Sequence, residues 1–231
     1  MPVDRFYLNA PLLKGEIVSL EDSEHHHLSH VMKLHVGEEV ELINGQGILS
    51  SAKITEIQKK KSLLLILSSE KKAPPVPRLI LAIPLMRLSK LEWVIEKGTE
   101  LGADLFLLFQ AEYSEKEGLS ENQQERLHNL CIAACKQSGR LYIPSLELVP
   151  HLESIFKHKA LFLFGDTRQN ESKEIPKSDC LAFITGPERG FSKQEVQLLN
   201  KEAVSFKLNT NILRAETAPL AAISLLSRLR F

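Results

Sequence analysis

A proline-rich stretch, Lys71-Lys72-Ala73-Pro74-Pro75-Val76-Pro77, divides the chain into two parts with different sequence patterns. Proline fixes φ and lacks a backbone N–H, so three prolines within four positions cannot continue a sheet or a helix. We therefore expect a stiff, extended linker at this point. The 231 residues are enough for two domains that each bury a core. We predict one domain over residues 1–72 and a second over residues 78–231.

The part before the linker has the pattern of a small β-barrel. Asn44-Gly45 stands between two strand-like segments, 39–43 and 47–54, and such a dipeptide is a strong hairpin signal. The nearly continuous apolar run 62–67 predicts a further strand, buried on both faces. Ser23 is placed to cap a short helix between the first strands.

The part after the linker alternates strands and helices. The predicted strands are the apolar segments 78–83, 103–109, 160–164, 180–184 and 204–208, with a short strand around Leu146. Helices are predicted from a Ser89 cap to Leu101, from Ser120 to Gln137, after Pro150, after Ser192, and from Arg214 to Leu229. Ser192 and Glu195 have the spacing of a capping box. Alternating apolar strands and helices predict an α/β fold, with a parallel sheet covered on both faces.

Charge and targeting signals narrow the class of protein. Lys plus Arg and Asp plus Glu both total 29, which argues against coating nucleic acid by charge alone but leaves room for a local basic face. The N-terminus has no signal-peptide pattern, and no segment approaches the ~20 apolar residues of a membrane helix. Three cysteines make no disulfide framework. We expect a cytoplasmic protein without membrane association.

Two groups of residues raise the question of a metal. Consecutive residues such as His25, His26 and His27 do not share a helix face. Cys131 and Cys135 stand at i,i+4, but no further ligand lies at matching spacing, so two buried thiols are the better interpretation. We expect no metal site.

Three loops that follow predicted strands carry unusual residues: 164–168, 184–192 and 208–218. Ligands of open α/β sheets bind beyond the carboxyl ends of the strands. The second loop has Gly186 and Gly190 around Pro187, so its backbone can approach a ligand closely and rigidly. It lacks both the dinucleotide fingerprint and the phosphate-loop ending. The alternative is a plain strand-to-helix turn.

Arg214 and Glu216 stand where the last helix is predicted to begin. One hypothesis places both side chains at a reacting centre, where Arg214 stabilises negative charge and Glu216 positions or accepts a proton. The alternative is that Glu216 only complements the helix dipole.

Several ordered motifs, taken together, resemble the SPOUT methyltransferases, and within them the ribosomal RNA small subunit methyltransferase E family. The match covers essentially the whole chain. It rests on Arg5-Phe6-Tyr7, the segment 27–33, Asn44-Gly45, the segments 91–102 and 133–144, Gly186-Pro187-Glu188-x-Gly190-Phe191-Ser192, and Ile212-Leu213-Arg214-x-Glu216-Thr217-Ala218.

The resemblance implies a PUA-like RNA-binding barrel followed by a SPOUT domain with a C-terminal trefoil knot. It implies a homodimer that uses S-adenosylmethionine to methylate N3 of a uridine in 16S ribosomal RNA, presented as RNA or as the 30S particle. Arg214 and Glu216 would be the catalytic residues. The implied cofactor-binding residues are Leu163, Phe164, Thr185, Gly186, Pro187, Glu188, Gly190, Leu208, Asn209, Ile212 and Leu213.

Basic residues are the expected RNA contacts. The candidates are Arg5, Lys33, Arg87 and Arg140, with Lys90 beside them; the alternative for each is a solvated surface charge. A base in structured RNA must be splayed out to expose N3, because that edge pairs. A helper domain that holds the surrounding RNA fits this requirement.

The chain departs from the family's pattern at three places. Arg189 replaces the glycine of Gly-Pro-Glu-Gly-Gly, and Tyr113 follows Glu112 where the family often has Glu-Arg-Ser. Asn209-Thr210-Asn211 replaces a segment that has a glycine and an arginine in the family. We expect Asn209 to adopt the backbone conformation of that glycine, since asparagine tolerates the left-handed region.

Two other functions compete with this interpretation. A SPOUT enzyme acting on a different RNA nucleotide would share all the motifs. A non-catalytic RNA-binding protein of ribosome assembly would keep the fold without needing the cofactor. A nucleotide-dependent oxidoreductase is disfavoured, because the dinucleotide fingerprint is missing.

Overall fold

A computed structural model of the chain describes residues 4–168 and 174–230. These residues form two compact units. The first contains the described residues up to Pro74 together with Cys135–Ile143. The second contains Pro75–Ala134 and the described residues from Pro144 onward. The proline-rich linker thus lies where the chain passes from one unit to the other.

The first unit is built on a curled, mixed five-stranded sheet in the order β1-β3-β4-β5-β2. Its strands are β1 (Arg5–Tyr7), β2 (Ile17–Glu21), β3 (Glu39–Ile43), β4 (Ile48–Ile57) and β5 (Lys61–Lys71). The hairpin predicted around Asn44-Gly45 is confirmed, because β3 and β4 pair antiparallel on either side of it. The short helix α1 (Asp22–His26) continues into a π-helical turn over His27–Val31.

Two details of this unit differ from the sequence prediction. In β5, Leu64 and Ile66 are buried but Leu63 and Leu65 are only half-buried, so the expected burial on both faces was wrong. Only one face of the curled sheet packs on a core, and alternate residues of a strand therefore have different surroundings. Ser23 lies inside α1, whose N-cap is Glu21, without a side-chain cap hydrogen bond.

The segment Cys135–Ile143 completes the first unit by packing on the hairpin. The Gly47 N–H donates to the Leu141 carbonyl at 2.9 Å, and the Ile143 N–H donates to the Gly45 carbonyl at 3.1 Å. Gly45 and Gly47 both have positive φ, and a Cβ on either would stand within 2.4 Å of the Ile143 or Tyr142 side chain. Glycine is therefore required here both for the turn and for the close approach.

The second unit is a six-stranded, fully parallel sheet with helices on both faces, which confirms the predicted α/β class. The strand order is β11-β9-β10-β6-β7-β8. The strands are β6 (Arg78–Pro84), β7 (Leu105–Phe109), β8 (Ser145–Val149), β9 (Leu161–Gly165), β10 (Cys180–Ile184) and β11 (Val204–Phe206). The helices are α2 (Leu88–Glu100), α3 (Glu121–Ser138), α4 (Leu152–Ile155), α5 (Lys193–Glu202) and α6 (Thr217–Ser227), the last followed by a 3₁₀ turn over Arg228–Arg230.

The strand residues of this sheet are apolar on both sides because both sides are covered. Ile80, Ala82 and Phe109 belong to a core cluster that includes residues of α4 and α5. On the opposite face, Gly98 of α2 lies against Phe106 and Leu81. Continuous apolar strands are typical of parallel sheets buried in this way.

Several predicted ends shift by a few residues. Helix α2 begins at Leu88 with Arg87 as N-cap, so Ser89 is inside it and does not cap it. Helix α6 begins at Thr217, which leaves Arg214 outside the helix and Glu216 at its N-cap. Strand β11 ends at Phe206, and Lys207 and Leu208 belong to the loop that follows.

Replacing Gly98 with Ala should destabilise the protein although alanine is the better helix former. An added Cβ would lie 2.8 Å from the ring of Phe106, a fully buried residue. The expected overpacking cost of about 1–3 kcal/mol offsets or exceeds the gain of about 1 kcal/mol in helix propensity. Urea denaturation would measure a lowered free energy of unfolding.

Gly118→Ala is the matched control, because its Cβ would meet nothing within 4 Å and no positive φ is required there. Its free energy of unfolding should stay equal or rise by less than about 1 kcal/mol. Equal effects of the two substitutions would contradict the close packing of α2 on the sheet.

Candidate functional site

A cavity of about 830 Å³ lies beyond the carboxyl ends of four neighbouring strands of the second unit, β11, β9, β10 and β6. From β6 the chain builds β7 and β8 on one side of the sheet, and β9, β10 and β11 on the other. The cavity therefore lies at a topological switch point, where open parallel sheets bind ligands. Its lining consists of Lys90, 164–168, 185–191, Val196, 207–209, 211–216 and Ala218.

All three loops singled out in the sequence contribute to this one cavity. Of the eleven residues proposed for cofactor binding, ten line it. The exception is Leu163, which is fully buried in β9 and does not line the cavity. Ile212 lines it while remaining 86% exposed, an unusual position for a large apolar side chain.

The loop after β10 has a fixed backbone. The Gly190 N–H donates to the Pro187 carbonyl at 2.9 Å, and Gly190 has φ +77°. A Cβ on Gly186 would stand 3.0 Å from the Phe191 ring, so a side chain there would crowd the loop. The hydroxyl of Thr185 is buried with no hydrogen-bond partner among the described residues. A buried hydroxyl without a hydrogen-bond partner is unfavourable in the free protein, and a ligand that bonds to it removes this cost. Together with the fixed backbone beside it, the Thr185 hydroxyl therefore indicates a ligand-binding site.

The capping box predicted at the start of α5 is confirmed, and the Glu195 carboxylate also binds a second loop. One carboxylate oxygen accepts from the Ser192 N–H at 2.8 Å, and the other accepts from the Glu112 N–H at 3.0 Å. The Ser192 hydroxyl in turn accepts from the Glu195 N–H. A single buried carboxylate thus joins the loop after β7 to the loop after β10. Sequence spacing shows the cap but not the bond to Glu112, which is 83 residues away.

A cluster of charges lies at one side of the cavity. The Lys90 ammonium contacts the Glu188 carboxylate and lies 3.8 Å from both the Glu115 and Glu216 carboxylates. Arg214 and Glu216 approach to 4.0 Å, so the structure brings the two catalytic candidates together. One Glu216 oxygen is buried with no hydrogen-bond partner among the described residues. The Arg214 side chain is 86% exposed.

Two departures from the family pattern contact each other. The Arg189 guanidinium lies over the Tyr113 ring at 5.0 Å from its centroid. The expectation for Asn209 was wrong: among described non-glycine residues only Asp22 and Lys33 have positive φ. The Asn209 side chain instead accepts from the Asn211 N–H at 3.0 Å and so closes a local turn.

The predicted RNA contacts have different surroundings. In the first unit, Arg5 forms a two-donor bond to Glu41, with a closest distance of 2.5 Å, and Lys33 is exposed. Arg140 is half-exposed beyond the end of α3. In the second unit, Arg87 lies 3.3 Å from Glu115, and Lys90 lines the cavity. Sequence reasoning had not placed Lys90 or Lys207 at the cavity, since neither carries a local signal.

The cysteines and histidines have structural surroundings. Cys131 and Cys135 are buried thiols, as expected, and burial raises the pKa of the Cys135 thiol to about 11. His25 is buried with Nδ1 2.9 Å from the Ser62 hydroxyl. Within residues 4–168 and 174–230, no group of three or more His, Cys, Asp or Glu is placed to hold a metal ion. Among the described helices, none combines the length and apolarity needed to cross a membrane.

Comparison with known proteins agrees with this architecture. A family model described as an RNA methyltransferase domain matches residues 72–227, and one described as an RNA methyltransferase PUA domain matches residues 20–67. A ribosomal RNA small subunit methyltransferase E from Bacillus subtilis is 29% identical over 228 residues, covering 90% of this chain and 89% of the relative. The protein of that name from Synechocystis is 30% identical, over 92% of this chain and 73% of the relative.

Solved structures give the same result. A ribosomal RNA small subunit methyltransferase E from Neisseria gonorrhoeae, bound to S-adenosyl methionine, has a TM-score of 0.89 at 27% identity, over 98% of both chains. A methyltransferase from Legionella pneumophila in complex with the bound cofactor SAM has a TM-score of 0.87 at 26% identity, over 99% of this chain and 98% of that one.

The second unit, with its parallel sheet and carboxyl-end cavity, is an RNA methyltransferase domain. The chain as a whole belongs to the ribosomal RNA small subunit methyltransferase E family.

Replacing Glu195 with Ala should both destabilise the protein and loosen the cavity. The substitution leaves two backbone N–H groups without their acceptor, at a cost of about 1–3 kcal/mol for the buried Ser192 N–H and less for the partly buried Glu112 N–H. Glu195→Gln should have a smaller effect, because its single carbonyl oxygen still accepts from one N–H. Urea denaturation would order the stabilities as wild type, Gln variant and Ala variant.

Ser192→Ala is the control for Glu195, because it removes only the cap and should cost about 1 kcal/mol. A Glu195→Ala variant no less stable than that control would contradict the link between the two loops.

Proposed function

We propose that this protein transfers the methyl group of S-adenosylmethionine to N3 of a uridine in small-subunit ribosomal RNA. The observation that carries the proposal is the cavity at the switch point, where the loops after β9, β10 and β11 meet beside Arg214 and Glu216. The test is tritiated methyl transfer to small-subunit particles and to naked ribosomal RNA, followed by nucleoside analysis. Label in a nucleoside other than N3-methyluridine would favour a different target in the same fold.

The residues present fit S-adenosylmethionine. The cavity volume of about 830 Å³ lies within the ~300–1,000 Å³ typical of small-molecule sites. Phe164, Pro187 and Leu213 supply apolar lining, and the Thr185 hydroxyl has a donor and acceptor to offer. The loop at 185–190 and the loop that contains Leu208 and Asn209 would hold the cofactor. When bound, S-adenosylmethionine supplies an electrophilic methyl group on a sulfonium.

Methyl transfer to N3 of uridine requires that the proton on N3 be removed. N3 of uracil carries a weakly acidic proton and lies between two carbonyl oxygens, so methyl transfer needs electron density to develop there. Arg214 would stabilise the negative charge on the uracil oxygens. Glu216 would orient the base or accept the N3 proton, with the carboxylate oxygen that has no hydrogen-bond partner among the described residues. Lys90, 3.8 Å from Glu216, offsets part of the negative charge of that group and of Glu188.

The finer features implied by the family belong to the same proposal. We infer a trefoil knot in the backbone around the cavity, as the family resemblance implies. We also infer a homodimer, RNA contacts by the PUA-like first unit, an assembled 30S particle as one form of the substrate, and a cytoplasmic location, where that RNA is made. Each of these rests on the family resemblance.

A non-catalytic role in ribosome assembly does not require the protein to bind S-adenosylmethionine. Calorimetry with S-adenosylmethionine separates the two functions, since an assembly protein has no need of the sulfonium. Absence of cofactor binding, together with absence of methyl transfer to either substrate, would favour the assembly role.

Replacing Thr185 with Val should weaken S-adenosylmethionine binding without lowering the stability of the cofactor-free protein. The buried hydroxyl has no partner among the described residues, so its loss removes an uncompensated polar group. The bond to the cofactor would contribute about 0.5–1.5 kcal/mol, equivalent to a rise in Kd of roughly 2- to 12-fold. Calorimetry and urea denaturation measure the two effects.

Thr99→Val is the matched control, since Thr99 is also buried but its hydroxyl donates to the Ile95 carbonyl at 2.7 Å. That variant should lose stability and keep its cofactor affinity. An unchanged Kd for the Thr185→Val variant would remove Thr185 from the cofactor site.

Replacing Arg214 with Ala should lower turnover by about 10²–10³-fold and leave the Kd for S-adenosylmethionine nearly normal. The exposed guanidinium acts on charge that develops in uracil and contributes little to the apolar cofactor pocket. Single-turnover methyl transfer and calorimetry give the two values. Lys159→Ala, an equal change of charge at an exposed residue before β9, should alter neither. Equal loss of cofactor affinity and turnover in the Arg214 variant would defeat the assignment.

A further inference from the structure

Arg189 and Tyr113 form a stacked pair at the cavity that the catalytic scheme does not use. We propose that Arg189, held in place by Tyr113, contacts a backbone phosphate of the substrate RNA next to the base that enters the cavity. The inference rests on the proposed function, because it takes the substrate to be RNA.

The pair is placed by two fixed stretches of backbone. Tyr113 stands in a turn in which the Ala111 N–H donates to the Ser114 hydroxyl at 2.9 Å and the Ser114 N–H donates to the Ala111 carbonyl at 3.1 Å. Glu195 fixes the same turn through the Glu112 N–H. Arg189 lies in the turn closed by the Gly190-to-Pro187 hydrogen bond. The guanidinium is therefore positioned before any ligand arrives.

The donors of Arg189 are available. Three other cations of the cavity have a carboxylate close by: Lys90 contacts Glu188, Arg168 bonds Asp166, and Arg214 lies near Glu216. The Arg189 side chain makes no hydrogen bond or ion pair to the residues that the structure describes, and its ring contact is with Tyr113. Stacking occupies one face of the guanidinium and leaves the N–H groups along its edges free to bind an anion.

The position and charge of Arg189 favour RNA over the cofactor as the anion. Arg189 is exposed while it lines the cavity, so it faces the side from which a macromolecule approaches. S-adenosylmethionine carries a sulfonium and an ammonium against one carboxylate and is a net cation, which a guanidinium repels. RNA carries a negative charge at every phosphate, and phosphate contacts fix the register of nucleic acid on a protein. The neighbouring Glu188 carboxylate is held by Lys90 and does not neutralise Arg189.

A phosphate contact at this point would hold the strand while the target base is splayed out. It would act equally on bound substrate and transition state, so its loss should raise KM for RNA and leave kcat unchanged. The tyrosine is required for its ring and not for its hydroxyl, because the cation lies over the ring.

The experiment measures binding of in vitro transcribed 16S ribosomal RNA at several salt concentrations, with S-adenosylmethionine calorimetry on the same proteins. Arg189→Ala should raise the Kd for RNA about 5- to 20-fold. It should also reduce the slope of log K against log salt by roughly 0.7–0.9, as expected for one phosphate contact. Arg189→Lys should keep the salt slope and recover only part of the affinity, since lysine lacks the planar group that stacks. Lys159→Ala is the charge control.

Variants of Tyr113 test whether its ring keeps the Arg189 guanidinium in place. Tyr113→Phe should bind RNA as the wild type does, and Tyr113→Ala should lose affinity. The double variant that combines Tyr113→Ala with Arg189→Ala should lose less than the product of the two single effects, because both remove one contact. Independent effects of the two residues would overturn the coupling.

Two further results would overturn the proposal: an Arg189→Ala variant that binds RNA with unchanged affinity and salt slope, or one whose defect is confined to the Kd for S-adenosylmethionine. Failure of the wild type to methylate the RNA while these binding effects remain would count against the proposed function and not against the phosphate contact.

Discussion

The parallel direction of all six strands in the second sheet determines where its chemistry lies. Because the strands share one direction, the loops after β6, β9, β10 and β11 leave the sheet at one edge. The neighbouring strands diverge in connectivity between β6 and β10, and a crevice opens there. The cavity therefore follows from the direction and order of the strands, while its chemical character is set by a few residues in the loops that this topology brings together.

Two buried polar atoms at this crevice lack a hydrogen-bond partner among the described residues. The Thr185 hydroxyl and one Glu216 oxygen are both buried at the cavity without a hydrogen-bond partner among the described residues. Such groups are unfavourable in the free protein, and a fold tolerates them where a ligand pairs with them. Around them the backbone is well supported, chiefly by the Glu195 carboxylate that bonds both Glu112 and Ser192. The site thus combines fixed loops with two buried polar atoms that lack hydrogen-bond partners among the described residues.

Local chemistry explains which features the sequence could predict. The capping box at Ser192, the hairpin at Asn44-Gly45 and the apolar strands depend on neighbouring residues, and all appear in the structure. The α/β class follows from their alternation. Ten of the eleven residues predicted to bind the cofactor line the cavity, because the resemblance identifies the loops that contain them; Leu163, inside a strand, is buried in the core.

The features that were missed depend on long-range contacts. The bond from Glu195 to Glu112, the position of Lys90 among three carboxylates and the half-exposed face of β5 all require knowledge of which elements pack together. The stack of Arg189 on Tyr113 had a signal, since both residues depart from the family pattern, but the pattern alone does not show that they meet.

The first unit is discontinuous in the chain, and this has a consequence for the order of its assembly. The side chains of Tyr142 and Ile143 pack against Gly47 and Gly45 of the hairpin. The ribosome adds these two residues some seventy residues after β5, the last strand of the first unit. During synthesis, β6 and β7 of the parallel sheet emerge before Tyr142 and Ile143 can pack on the hairpin. The first unit therefore reaches its final packing only after elements of the second sheet have been synthesised, and its folding cannot be completed before synthesis of the second unit has begun.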